Sequence, residues 1–160
     1  MTLSPELEAK FQSILAKYPP DRKRSAVIPM LLFGQDVIGS ITRELIEEVA
    51  RRTGQTTLSI DEVVTYYSML HRTPMGRAHV QICTNISCLL NGGEHLWEIA
   101  TKRLGIGHKE TTPDGKISLE EVECIGACSW APAMQVNYDF YHQVTPEKLD
   151  RMITELQGAH

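Results

Sequence analysis

No apolar run in the 160 residues approaches the ~20 that a membrane-spanning helix needs, so no direct membrane insertion is expected. The opening Met1-Thr2-Leu3-Ser4-Pro5-Glu6 lacks the basic and then apolar stretches of a secretory signal, and it is too acidic for an organellar transit peptide. An excess of positive charge is missing too. Sixteen basic side chains face twenty acidic ones, for a net charge of −4, which argues against nucleic acid as a partner. Cys-x-x-Cys is absent, which removes a thioredoxin-type redox pair. Gly105-Ile106-Gly107-His108-Lys109-Glu110 begins like a dinucleotide fingerprint but has no third glycine and follows a helical pattern, so it reads as a helix-end loop. These absences leave a water-soluble chain in the cytoplasm as the expectation.

What is present begins with core-forming side chains: 42% of residues are apolar, enough to bury a real interior. The pattern predicts an α+β chain in two parts, residues 1–75 helical and 76–160 mixed. Leu3, Leu7, Phe11, Ile14 and Leu15 fall at helical spacing before Pro19-Pro20. Ser25 is the expected cap of a second helix through Phe33, with Pro29 in its first turn. A third helix is predicted from Thr42 to Arg52, with Gly54 as its stop, and a fourth from Ser59 to about Leu70. These amphipathic faces need cover; docking onto a partner is the expected use of them, and packing on a core of their own is the alternative. Arg22-Lys23-Arg24 reads as a solvated linker.

After the turn cluster Thr73-Pro74-Met75-Gly76, Ala78, Val80 and Ile82 alternate as in a strand. A helix is expected over Gly93–Leu104. Pro113-Asp114-Gly115 predicts a hairpin turn between Lys109–Thr111 and Lys116–Val122. Ala133–Tyr138 reads as a strand, and Thr145-Pro146 opens a last helix with Leu149, Met152, Ile153 and Leu156 inward.

The four cysteines form two pairs, Cys83-x4-Cys88 and Cys124-x3-Cys128, each beginning where a predicted strand ends. Two such loops can converge on one site. A [2Fe–2S] cluster takes two thiolates at each iron, and two pairs on two loops supply them. Small residues between Cys124 and Cys128 would let backbone N–H groups reach the sulfurs, and Asn85, Ser87 and Ser129 are further candidate donors. A zinc-stabilised interaction module uses four cysteines as well, usually with a two-residue gap in at least one pair. Disulfides suit the number but not a reducing compartment. His71, His79, His95, His108 and His142 are scattered and read as surface or core residues. Asn85-Ile86-Ser87 matches a glycosylation acceptor, a chance match without secretion. On spacing alone the cluster leads and the others stay open.

The string Val122-Glu123-Cys124-Ile125-Gly126-Ala127-Cys128-Ser129-Trp130-Ala131-Pro132, with Cys83-Thr84-x3-Cys88 and Thr111-Thr112-Pro113-Asp114-Gly115-Lys116, resembles the 24-kilodalton subunit family of respiratory complex I, the NADH:quinone oxidoreductase. The likeness extends over nearly the whole chain. It implies an N-terminal helical extension followed by a thioredoxin-like [2Fe–2S] ferredoxin domain. It also implies one cluster on Cys83, Cys88, Cys124 and Cys128, with no catalytic residue of the chain's own. The implied partner is the flavoprotein subunit, which binds FMN and NADH, and the implied role is electron transfer in a complex peripheral to the cytoplasmic membrane. Related subunits occur in NAD-linked hydrogenases and formate dehydrogenases, which is the alternative setting.

Overall fold

A computed structural model describes residues 3–158; Met1-Thr2, part of the N-terminal reading above, lie outside them. The chain divides into two compact units, Met1–Pro74 and Met75–His160.

The first unit is built from four helices. In α1 (Pro5–Leu15) the Ser4 hydroxyl accepts the Leu7 N–H at 3.2 Å and Pro5 takes the first helical position. Leu7, Phe11 and Ile14 are buried. Helix α2 (Val27–Ile38) departs from expectation at both ends. Ser25 lies inside a preceding 3-10 turn, Pro20–Ala26, and α2 starts from Ala26 without a side-chain cap. The helix continues past Phe33 to Ile38, with Gly34 inside it. A Cβ there would meet the Leu45 Cδ atoms at 2.7 Å, so α2 and α3 (Arg43–Thr53) touch closely at this point. Thr42 caps α3 through the Leu45 N–H, and Gly54 ends it, as the sequence predicts. In α4 (Thr57–Tyr66) the cap is Thr56, which accepts the Ser59 N–H at 3.1 Å; Ser59 lies within the first turn instead of opening the helix. The helix stops at Tyr66, and Leu70 reaches the core from a turn.

Apolar faces of all four helices meet in one core that includes Leu7, Phe11, Met30, Leu31, Leu45, Val49, Ile60 and Val64. The premise behind the docking expectation is therefore corrected: these faces cover one another. Arg52 ties α1 to α3, its guanidinium donating to Glu8 at 3.0 Å and to Glu48 at 2.6 Å.

The second unit is a five-stranded sheet in the order β2-β3-β1-β4-β5, with β1 (Ala78–Cys83) and β3 (Ile117–Val122) parallel and the other pairs antiparallel. The predicted hairpin joins β2 (Glu110–Thr111) to β3. Asp114 holds it by accepting the Lys116 N–H at 3.0 Å and the Thr112 hydroxyl at 2.6 Å. The strand expected over Ala133–Tyr138 is shorter, β4 (Met134–Val136). Asn137, at φ 53°, then turns the chain into an unforeseen edge strand, β5 (Asp139–Tyr141). A short helix, α5 (Ile86–Leu90), was not expected either. Helices α6 (Gly93–Leu104) and α7 (Pro146–Gly158) follow the predicted spans. Leu96 and Ala100 of α6 and Leu149 and Ile153 of α7 pack with Val80, Ile82, Ile117, Leu119 and Met134 of the sheet. Among the described residues no helix is long and apolar enough to cross a membrane.

Candidate metal centre

Parallel pairing decides where the cysteines lie. Cys83 is in register with Val122, so β1 and β3 end together and both segments leave the same end of the sheet. Cys83 is the last residue of β1, and its N–H donates to the Ala133 carbonyl at 3.2 Å. The Asn85 side-chain oxygen caps α5 by accepting the Ile86 N–H at 2.7 Å, and that turn of helix brings Cys88 back toward Cys83. On the other side Cys124 follows β3 directly. Gly126 then takes φ 77°, a conformation that suits glycine, and the loop curls so that Cys128 opens a 3-10 turn, Cys128–Trp130. Two loops held by adjacent parallel strands thus converge, as the sequence predicts.

The two pairs differ in setting. Cys83 and Cys88 are each 2% exposed and form a small apolar cluster with Ala127 and Ala133, against which Val122, Ile125 and Ala131 pack. Cys124 and Cys128 are exposed, their sulfurs 3.8 Å apart, and none of the four is disulfide-bonded. Burial pushes the Cys88 thiol up to about 11, and the neighbouring Cys83 and Cys128 add to the effect. The Cys128 thiol is raised as well, first by its hydrogen bond with Cys124 and then by that residue's charge. Each thiolate makes its neighbours harder to ionise, and a cation placed among them would remove that penalty.

The geometry fits a two-metal group. Two thiolates on a tetrahedral ion, each ~2.3 Å from it, stand roughly 3.8 Å apart, which is the Cys124–Cys128 separation. Among the described residues no three cysteine sulfurs lie within 4.8 Å of one another. The Gly126 N–H points at the Cys124 sulfur at 3.3 Å, a donor of the kind that stabilises a thiolate. Of the other candidate donors, Asn85 accepts the Ile86 N–H with its side-chain oxygen, which leaves its NH2 as the group that can donate.

One residue of the site escaped sequence reasoning. Gly93 opens α6 directly beneath the first cysteine loop. A Cβ there would stand 2.6 Å from the Cys83 carbonyl oxygen and 2.9 Å from the Cys88 carbonyl carbon and oxygen. The only visible signal was the Gly92-Gly93 doublet between Cys88 and a helical pattern. Around the mouth of the site Ile86, Leu90 and Trp130 are exposed, and Trp130 packs at 5.2 Å on the ring of His142.

Residues 11–157 match the family described as thioredoxin-like [2Fe-2S] ferredoxin. NADH-quinone oxidoreductase subunit 2 of Thermus thermophilus is 42% identical over 149 residues, covering 92% of this chain and 82% of that one. A subunit of the NADH-quinone oxidoreductase of Rhizobium meliloti is 39% identical over 159 residues, covering 99% and 91%. Among solved structures, an NAD+-reducing [NiFe]-hydrogenase in the H2-reduced state superposes with a TM-score of 0.70 at 16% identity. That match covers 81% of this chain and 22% of the longer one, and is a likeness of fold alone.

Proposed function

Since the chain belongs to the thioredoxin-like [2Fe-2S] ferredoxin family, we propose that Cys83, Cys88, Cys124 and Cys128 hold one [2Fe–2S] cluster and that the chain is an electron-transfer subunit of an NADH–quinone oxidoreductase. The observation that carries the reading is the parallel pairing of β1 with β3, after which both cysteine pairs begin at one end of the sheet. In this reading Cys83 and Cys88 take one iron and Cys124 and Cys128 the other. The bound cluster supplies a site that accepts one electron at a time. The protein holds the inner pair in an apolar pocket that excludes water, leaves the outer pair near the surface within reach of a partner, and offers the Gly126 N–H to a thiolate.

NADH releases a two-electron hydride, so a flavin must stand between it and a one-electron centre. The sequence has no complete glycine-rich phosphate loop for either cofactor. The partner is accordingly a flavoprotein subunit that binds NADH and FMN, and the complex sits on the cytoplasmic side of the membrane. An anaerobic titration tests this division of labour. The purified chain should be brown and bleach with a sufficiently low-potential reductant such as dithionite, but not with NADH. Adding the flavoprotein should confer NADH-dependent reduction. A colourless zinc protein, or prompt bleaching of the flavin-free chain by NADH, would overturn it.

A further inference from the structure

Of the four thiols, two are shielded and two are not. Cys83 and Cys88 are 2% exposed, whereas Cys124 and Cys128 lie open at the surface with their sulfurs 3.8 Å apart. A disulfide requires about 2.05 Å between sulfurs, so closure of this pair needs an approach of roughly 1.8 Å. The loop that must supply the movement is short, and at Gly126 within it no atom lies within 4 Å of the position a Cβ would take. The inner pair is close together too, but a small oxidant cannot reach thiols packed under Ala127 and Ala133.

We infer that, before the cluster is bound, Cys124 and Cys128 form a thiol–disulfide switch that decides whether the site can be loaded. The inference rests on the ligand reading above. With the bridge closed, two of the four ligands are withheld. With it open, all four are free.

The chemistry balances with a small disulfide such as oxidised glutathione as oxidant. The thiolate of one cysteine attacks a glutathione sulfur, forming a mixed disulfide and releasing one glutathione thiol. The second cysteine attacks the protein sulfur of that mixed disulfide and releases the other glutathione. Two protein S–H bonds are lost and one disulfide is reduced to two thiols. A dithiol such as dithiothreitol reverses both steps and is itself oxidised to a cyclic disulfide.

The test uses the full chain, stripped of metal by a chelator, fully reduced and desalted without oxygen. After treatment with oxidised glutathione, intact mass and peptide mapping should show the loss of two hydrogens, one Cys124–Cys128 bridge, and free thiols at Cys83 and Cys88. On addition of ferrous iron and sulfide the bridged chain should develop no cluster absorbance until dithiothreitol is added. Cys128→Ser should stop at a glutathione adduct on Cys124. A bridge that includes Cys83 or Cys88, an adduct on the native chain that never closes, or a bridged chain that loads fully without reductant would overturn the switch. Failure of the reduced control to load would overturn the ligand reading and the switch together, and is told apart because it needs no oxidant.

Discussion

Cys83 and Cys88 are fixed by a strand end and a helix, Cys124 and Cys128 by a loop, so four chemically identical thiols sit in two mechanical settings. Any one of them replaced by alanine should bring iron content and visible absorbance to background, because three thiolates leave one iron short of a ligand. An alanine variant with full iron and an unchanged spectrum would remove that residue from the ligand set. Gly93 gives a sharper test of how the inner pair is held. With Cβ contacts of 2.6 and 2.9 Å to the backbone of Cys83 and Cys88, Gly93→Ala must push α6 away from the loop, at a cost of about 1–3 kcal/mol. Iron per chain should fall together with the urea midpoint. Gly158→Ala, where a Cβ meets nothing within 4 Å, should change neither. The candidate site was legible because thiols in pairs after strands are a chemical pattern written in order along the chain. Gly93 was not, because a close approach between backbones is a property of the assembled unit. The contrast between a shielded and an open pair was equally invisible, since the spacings x4 and x3 say nothing of burial.

At the level of elements, the helical unit depends on ion pairs that sequence spacing only half shows. Glu48 reaches Arg51 and Arg52 along its own helix, but Arg52 also reaches Glu8 on α1. The Arg51 guanidinium, and then that of Arg52, lower the Glu48 carboxyl from 4.5 to about 2 in the fold. A depressed carboxylate stabilises the fold above its unfolded value and loses that contribution as pH falls through the folded one. At about 1.4 kcal/mol for each pH unit between the two, this is on the order of 3 kcal/mol. Stability measured by circular dichroism should therefore decline between about pH 4.5 and 2, and less steeply in Glu48→Gln, which is destabilised already at neutral pH. An unchanged acid profile in that variant would remove Glu48 from the linkage. Element limits were readable where a cap has no rival, as at Thr42, Gly54 and Thr145, whose hydroxyl accepts the Lys148 N–H at 3.3 Å at the start of α7. They failed where two hydroxyl residues lie three apart, as at Thr56 and Ser59, and where Ser25 is drawn into a 3-10 turn. Helix α5 and strand β5 were missed because five and three residues are too few to display a period.

For the molecule as a whole, the relevant fact is that each core belongs to one unit. The helical core runs from Leu7 to Leu70, while the sheet core and the cysteine cluster draw on residues from Ala78 to Ile153. Every strand, both cysteine loops and Gly93 lie in the second unit, Met75–His160. A helical unit that buries its own apolar faces is not needed as a lid for the sheet's interior, and a sheet flanked by α6 and α7 has the layers that a small domain requires. Residues 75–160 expressed alone should accordingly fold and take up a cluster with the absorbance spectrum of the full chain. Residues 1–74 should be helical and colourless. At fewer than 90 residues apiece the two pieces have little surplus stability, so midpoints lower than in the full chain are compatible with this outcome. Loss of the cluster from 75–160 under conditions where the fragment retains its sheet would be the decisive contrary result. It would mean that the ligand geometry at the end of β1 and β3 is set from outside the unit that contains it, and the site would then have to be described as a property of both halves.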